Sequence, residues 1–167
     1  ELGKPYIIVL NTLYPDAYES IELVQSLEEK YDVPVLAINC AETTDDDLLN
    51  ILQEALYEFP IQEINVKLPL WVEELESAHW LRSDLEQVIN EAVTSVNRLR
   101  DIDHTIEKIR ENEFVAAALL QEMNLGTGVA DIKVQAQDGL FFKVLEEVSG
   151  LPVSGEHDIL RLMRDLS

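Results

Sequence analysis

Four things are scarce in this 167-residue chain, and each scarcity excludes something. The chain has one cysteine, Cys40, so no internal disulfide forms and a reducing setting is expected. Only 12 Lys and Arg stand against 33 Asp and Glu, a net charge of −21, so phosphate backbones and anionic lipid heads are repelled. No nucleic-acid partner and no direct membrane insertion are therefore expected. No apolar run reaches membrane-span length; the longest are Val33–Ile38 and Phe114–Leu120. Only six glycines occur. None falls in the Gly-x-x-x-x-Gly-Lys-Ser/Thr pattern by which backbone amides wrap a nucleotide's phosphates. Gly126 and Gly128 come closest, without the Lys-Ser/Thr, and read as a helix stop before a strand. One Cys and three scattered His cannot close a zinc site. No signal-peptide pattern is seen, and a start without Met, almost on top of a strand, is expected of a piece of a longer protein.

What is present reads as α/β. Residues 1–68 give β-α-β-α-β, a three-stranded remnant of a parallel sheet: strands Tyr6–Leu10, Val33–Asn39 and Ile61–Leu68. The first two are continuously apolar, as expected of strands covered on both faces. Ile21, Leu23, Val24 and Leu27 mark the inner face of the first helix. Leu48, Leu49, Leu52, Ala55 and Leu56 mark that of the second. Thr43 or Thr44 caps the second helix, and Asp45, Asp46 and Asp47 complement its dipole.

Pro69 marks a boundary. Residues 69–167 read as a mixed α+β domain, helical first and then a small β-α-β-α unit. A short helix covers Val72–Ala78. Apolar spacing from Leu85 to Ile109 predicts one long helix, or two with a break near Asp101–Asp103. Phe114–Met123 is apolar enough for a buried helix. Val129–Ala136 alternates as a strand, and Asp138–Ser149 reads as a helix. Leu151–Val153 reads as a short strand and His157–Leu166 as a last helix.

Candidate chemistry is sparse. His104 beside Asp101 and Asp103 reads as solvated side chains on a helix face, and His79-Trp80 as half-buried packing. No catalytic residue and no metal ligand is assigned. The strand ends remain. Asn11 ends the first strand and Asn39-Cys40-Ala41 the second, and neighbouring strand ends of an α/β sheet share a ligand crevice. A GTP-binding domain would follow the Asn with Lys and place Asp two residues further on. Here Thr12 and Tyr14 hold those places.

The segments KPYIIVLNTLYP, YDVPVLAINC, LLNILQEALYEFPIQEINVKLPLWV, HWLR, VNRLRDID, GTGVADI and HDILRLMRDLS occur in this order. Together they resemble the stage IV sporulation protein A family, across almost the whole chain. The resemblance implies the rear of a P-loop ATPase domain over residues 1–68 and a middle domain over 69–167. It implies a parent that uses ATP and Mg to polymerise on the mother-cell side of the forespore outer membrane, in the cytoplasm. The polymer is the base layer for spore coat proteins, held by a small amphipathic membrane-anchoring protein. It also implies that Asn11, Thr12, Tyr14, Asn39, Cys40 and Ala41 lie on the base side of the nucleotide site. With no phosphate loop, this piece is expected to hold no ATP or Mg and to act as a structural module. Two rivals stay open. One is an independent small α/β enzyme using Cys40 or Asp16 at the strand-end crevice. The other is a ligand-free interaction module built on the long helix.

Overall fold

The computed structural model describes residues 4–165. The α/β class holds, in two units. The first contains β1 (Ile8–Asn11), α1 (Tyr18–Tyr31), β2 (Val35–Ile38) and α2 (Asp45–Tyr57). β1 and β2 pair in parallel, with Ile8 opposite Val35 and Asn11 opposite Ile38. The third strand, β3 (Glu63–Lys67), forms as expected but does not join them. It lies in a separate sheet of order β3-β5-β4, with β4 spanning Val115–Asn124 and β5 Val129–Ala136. A strand's alternation reports its two faces and says nothing about which edge it pairs with.

The apolar faces of the first unit are less covered than their periodicity suggests. On α2, Leu48, Leu49 and Leu52 are exposed, and on α1 so are Ile21 and Leu23. Two four-residue strands span only about 13 Å each and offer little surface to lie against. The N-terminus of α2 is nonetheless well made. Thr44 donates its backbone N–H and its hydroxyl to Asp47 Oδ2, both at 2.8 Å, and accepts from Asp47 N at 3.2 Å. These donors hold the Asp47 carboxyl below its ordinary value of 3.8. A lowered folded-state pKa adds stability at pH values above 3.8, and that stability is lost as pH falls through the lower folded value. At neutral pH, Asp47→Ala should speed amide exchange in the first turn of α2. That difference should close in acid; a difference that persists there would show the cap is not ionic.

In the second unit, α3 (Leu70–Glu73) and α4 (Trp80–Thr94) follow β3, and α5 (Ile102–Arg110) precedes β4. Of the two readings, one long helix or two, the structure shows two, and the break begins at 95–98, a few residues ahead of the expected Asp101–Asp103. Asp101 Oδ2 draws in the backbone N–H groups of Asn97 and Arg98 at 3.0 and 2.9 Å, a local bond that competes with helix continuation. A 3-10 turn, Leu99–Asp101, links the break to α5.

The helix expected over Phe114–Met123 is instead β4. Gln137 N–H donates to Phe114 O and Gly128 N–H to Asn124 O, so β4 and β5 form an antiparallel hairpin. β3 runs parallel to β5, because Gln62 meets Gly128 and Asn65 meets Asp131. Along β5, Ala130, Ile132 and Val134 are fully buried while Lys133 and Gln135 are exposed, as expected for a sheet with one covered face. Leu81, Leu85, Ile109 and Val72 complete this core. α6 (Leu140–Ser149) and α7 (Glu156–Asp165) close the chain. Leu151–Val153 forms no strand, and Leu166, the expected end of the last helix, lies outside the described residues.

Candidate nucleotide-base site

The C-terminal ends of β1 and β2 meet through side chain and backbone together. Thr12 N–H donates to Ile38 O at 2.9 Å, extending the ladder one residue past β1. Cys40 N–H donates to Asn11 Oδ1 at 3.2 Å, so the two strand-end loops are tied by one carboxamide. With its oxygen committed, Asn11 keeps its NH2 donors for another group.

The Thr12–Tyr14 loop is held from α1. Ser20, at 9% exposure, donates its hydroxyl to Tyr14 O at 2.9 Å. Its one proton is thereby used, so in the 3.3 Å contact between the two hydroxyls Thr12 is the donor. Thr12 Oγ1 also accepts from Tyr14 N at 3.2 Å. The backbone of this loop is bonded while Tyr14 as a residue is 72% exposed. Ser20 was not legible as a site residue, because its role depends on the loop folding back onto the helix.

Asn39 serves its own loop. Its Oδ1 accepts from Ala41 N at 3.1 Å, and its Nδ2 donates to Glu42 Oε2 at 3.1 Å. Its carbonyl accepts from Thr43 Oγ1 and Glu42 N, both at 3.0 Å. Cys40 and Ala41 are exposed. Asn11, Thr12, Asn39 and Cys40 are thus brought into one bonded strand-end region. The surfaces this region leaves open are the Asn11 NH2, the Tyr14 ring, the Cys40 thiol and the Ala41 methyl.

The other candidates stand apart. His104 is exposed with Nδ1 3.9 Å from Glu107, and Asp101 is spent on the turn before α5. His79 caps α4, its Nδ1 accepting from Leu81 N at 3.3 Å. Trp80 donates Nε1–H to Glu147 at 2.9 Å and packs edge-on against Phe114. Gly126 and Gly128 belong to the hairpin turn after β4 rather than to a helix stop. Among the described residues no cluster of three or more His, Cys, Asp or Glu is placed to hold a metal ion. No helix there is long and apolar enough to cross a membrane.

A second charged constellation was missed by sequence reasoning. Glu58, at the end of α2, has a side chain only 3% exposed and faces Arg98 and Arg100. Its partners lie 40 residues and more along the chain, so no local signal marks them.

Comparison with known proteins gives consistent matches. Residues 61–167 match the family model described as "Stage IV sporulation protein A, middle domain", and residues 1–60 match "Stage IV sporulation protein A, ATPase domain". The chain is 42% identical over 167 residues to Stage IV sporulation protein A of Bacillus subtilis (strain 168). It is 41% identical over 167 residues to that of Bacillus anthracis, and 39% over 166 residues to that of Clostridioides difficile (strain 630). All or nearly all of this chain is covered in each case, and it spans 34%, about a third, of the length of these curated relatives. No solved structure matches. On the match of both consecutive family models across its length, the chain belongs to the stage IV sporulation protein A family.

Proposed function

We propose that this chain supplies the base-contacting end of an ATP site and, beyond it, an assembly module of a sporulation morphogenetic ATPase. The observation that carries the reading is the Asn11–Cys40 tie beside an open Tyr14 ring. Guanine readout needs a carboxylate to accept from N1–H and the 2-amino group. Adenine offers an acceptor at N1 and no 2-amino group, so a carboxylate there gains nothing. Tyr14 removes that selector and presents an aromatic face on which any base can stack. The Asn11 NH2 is free to donate to a purine ring nitrogen.

The residues present suit the base and not the phosphates. Phosphate affinity comes from an amide cradle at a helix N-terminus, for which this sequence has no Gly-x-x-x-x-Gly-Lys-Ser/Thr. Mg2+ and the phosphate-binding elements, supplied by the longer protein, provide the hydrolytic chemistry. That hydrolysis drives polymerisation on the mother-cell side of the forespore outer membrane, in the cytoplasm. The polymer is the base layer for coat proteins, held there with a small amphipathic membrane-anchoring partner. The exposed Leu48, Leu49 and Leu52 suit burial beneath further elements of the ATPase domain.

The test uses the longer protein. Base stacking on an aromatic ring is worth about 1–3 kcal/mol, so Tyr14→Ala should raise KM for ATP about 5- to 150-fold. The base is remote from the reacting phosphoryl group, so kcat should change little. An unchanged KM would remove Tyr14 from the site. The 167-residue chain by itself should turn over no ATP, and turnover by it would overturn the reading.

A further inference from the structure

The family models divide the chain between residues 60 and 61, yet Asn97–Ile102, inside the middle-domain match, belongs to the first structural unit. We propose that this stretch is a strap that completes the ATPase-side unit, with Arg98 and Arg100 locking it onto the buried Glu58. The inference is independent of the nucleotide reading.

Three kinds of contact carry it. The backbone pairs: Ile61 N–H donates to Asn97 O at 3.1 Å, and Leu99 N–H to Phe59 O at 3.0 Å. The strap also brings apolar core: Leu99 and Ile102 are fully buried, in a unit where Val35 is the other buried aliphatic side chain among the described residues. Finally, the charges interlock. Arg98 Nη1 donates to Glu58 Oε2 at 3.0 Å and to Asp32 O at 3.0 Å, while its Nη2 donates to Asp32 Oδ2 at 3.1 Å. Arg100 Nε faces Glu58 Oε1, and its Nη2 lies 3.4 Å from Glu54 Oε2.

These pairs are not equivalent. The Asp32 carboxylate is 92% exposed, and its pairing with Arg98 is a surface contact of little weight. Glu58 is buried, and a buried carboxylate without its cation is a large penalty. Asp32 contributes geometry instead. It ends α1 in the left-handed region at φ 52°, where its carbonyl turns to meet Arg98. One arginine thus holds the C-terminal ends of both helices, from a stretch that arrives 66 residues after α1 ends. Residues 1–60 therefore lack an element their own unit requires.

Hydrogen exchange on the 167-residue chain tests this. Arg98→Met should speed exchange about tenfold or more in Val35–Ile38 and at the end of α2, while Ile132 and its neighbours in β5 stay protected. Glu58→Met should do the same. In the double variant the combined effect should fall short of the product of the singles by about tenfold, because both single changes break the same Arg98–Glu58 pair. Should Arg98→Met fail to fold, Arg98→Lys keeps the charge, loses the fork, and should give intermediate exchange. Native exchange in β2 after either change at Arg98, equal loss in both units, or effects that simply multiply would overturn the proposal.

Discussion

Gly128→Val is expected to destabilise the chain by about 2–5 kcal/mol. Gly128 sits at the end of the β4–β5 turn at φ 72°, where an L side chain costs about 1–2 kcal/mol. Space adds to this. A Cβ there would lie 2.9 Å from Gln62 Cγ and 3.0 Å from Pro60 O. The Gln62 side chain can move. The Pro60 carbonyl is backbone and cannot easily yield, and forcing such contacts costs about 1–3 kcal/mol. The approach is close because Gly128 O accepts from Gln62 N at 2.8 Å, bringing the turn against the entry to β3. Gly139 is the internal control: φ is 80°, but a Cβ at that position would meet nothing within 4 Å. Gly139→Val should cost only the conformational share. Urea denaturation of both variants decides the matter, and equal losses would show that the Pro60 approach contributes nothing.

Ile132→Ala is expected to cost about 2–5 kcal/mol, against about 0.5–1.5 for Ile132→Val. Ile132 is fully buried on β5, the middle strand of its sheet, flanked along the strand by the equally buried Ala130 and Val134. Truncation leaves a cavity on the covered face of the sheet, and hydrogen bonding of β5 on both edges limits its collapse into that space. The lost midpoint in urea should appear with an unchanged slope if the unfolding unit stays the same. A loss no greater than that of the valine variant would mean that the sheet relaxes into the space, and that β5 is not the rigid centre of the second unit.

The strand-end region was largely legible because its determinants are local. Tyr6–Leu10 and Val33–Asn39 are apolar runs that end on polar residues, and parallel pairing brings Asn11 level with Ile38. Asn11, Thr12, Asn39 and Cys40 then meet by chain geometry alone. What could not be read is how the loop backbone is held. Ser20 reaches Tyr14 O only after α1 has folded back. The error over Phe114–Met123 has a similar cause. Alanine, leucine, glutamine, glutamate and methionine all favour helix, yet the gain from pairing with β5 is larger than a sum of weak preferences. On α2 the stripe of leucines is amphipathic, as its spacing says, but it is exposed rather than buried, since a stripe names a face and not its cover.

By itself the sequence determined the β-α-β-α order of the first unit, a cap at Thr43 or Thr44 for α2, and that no phosphate-wrapping glycine loop is present. Those properties depend on residues within about four positions of one another. Tertiary structure decided which sheet β3 enters, that β4 is a strand, and that Glu58 is buried against Arg98 and Arg100. Each of those is a pairing between distant segments. Its free energy exists only once both partners are in place, so no window of sequence contains it.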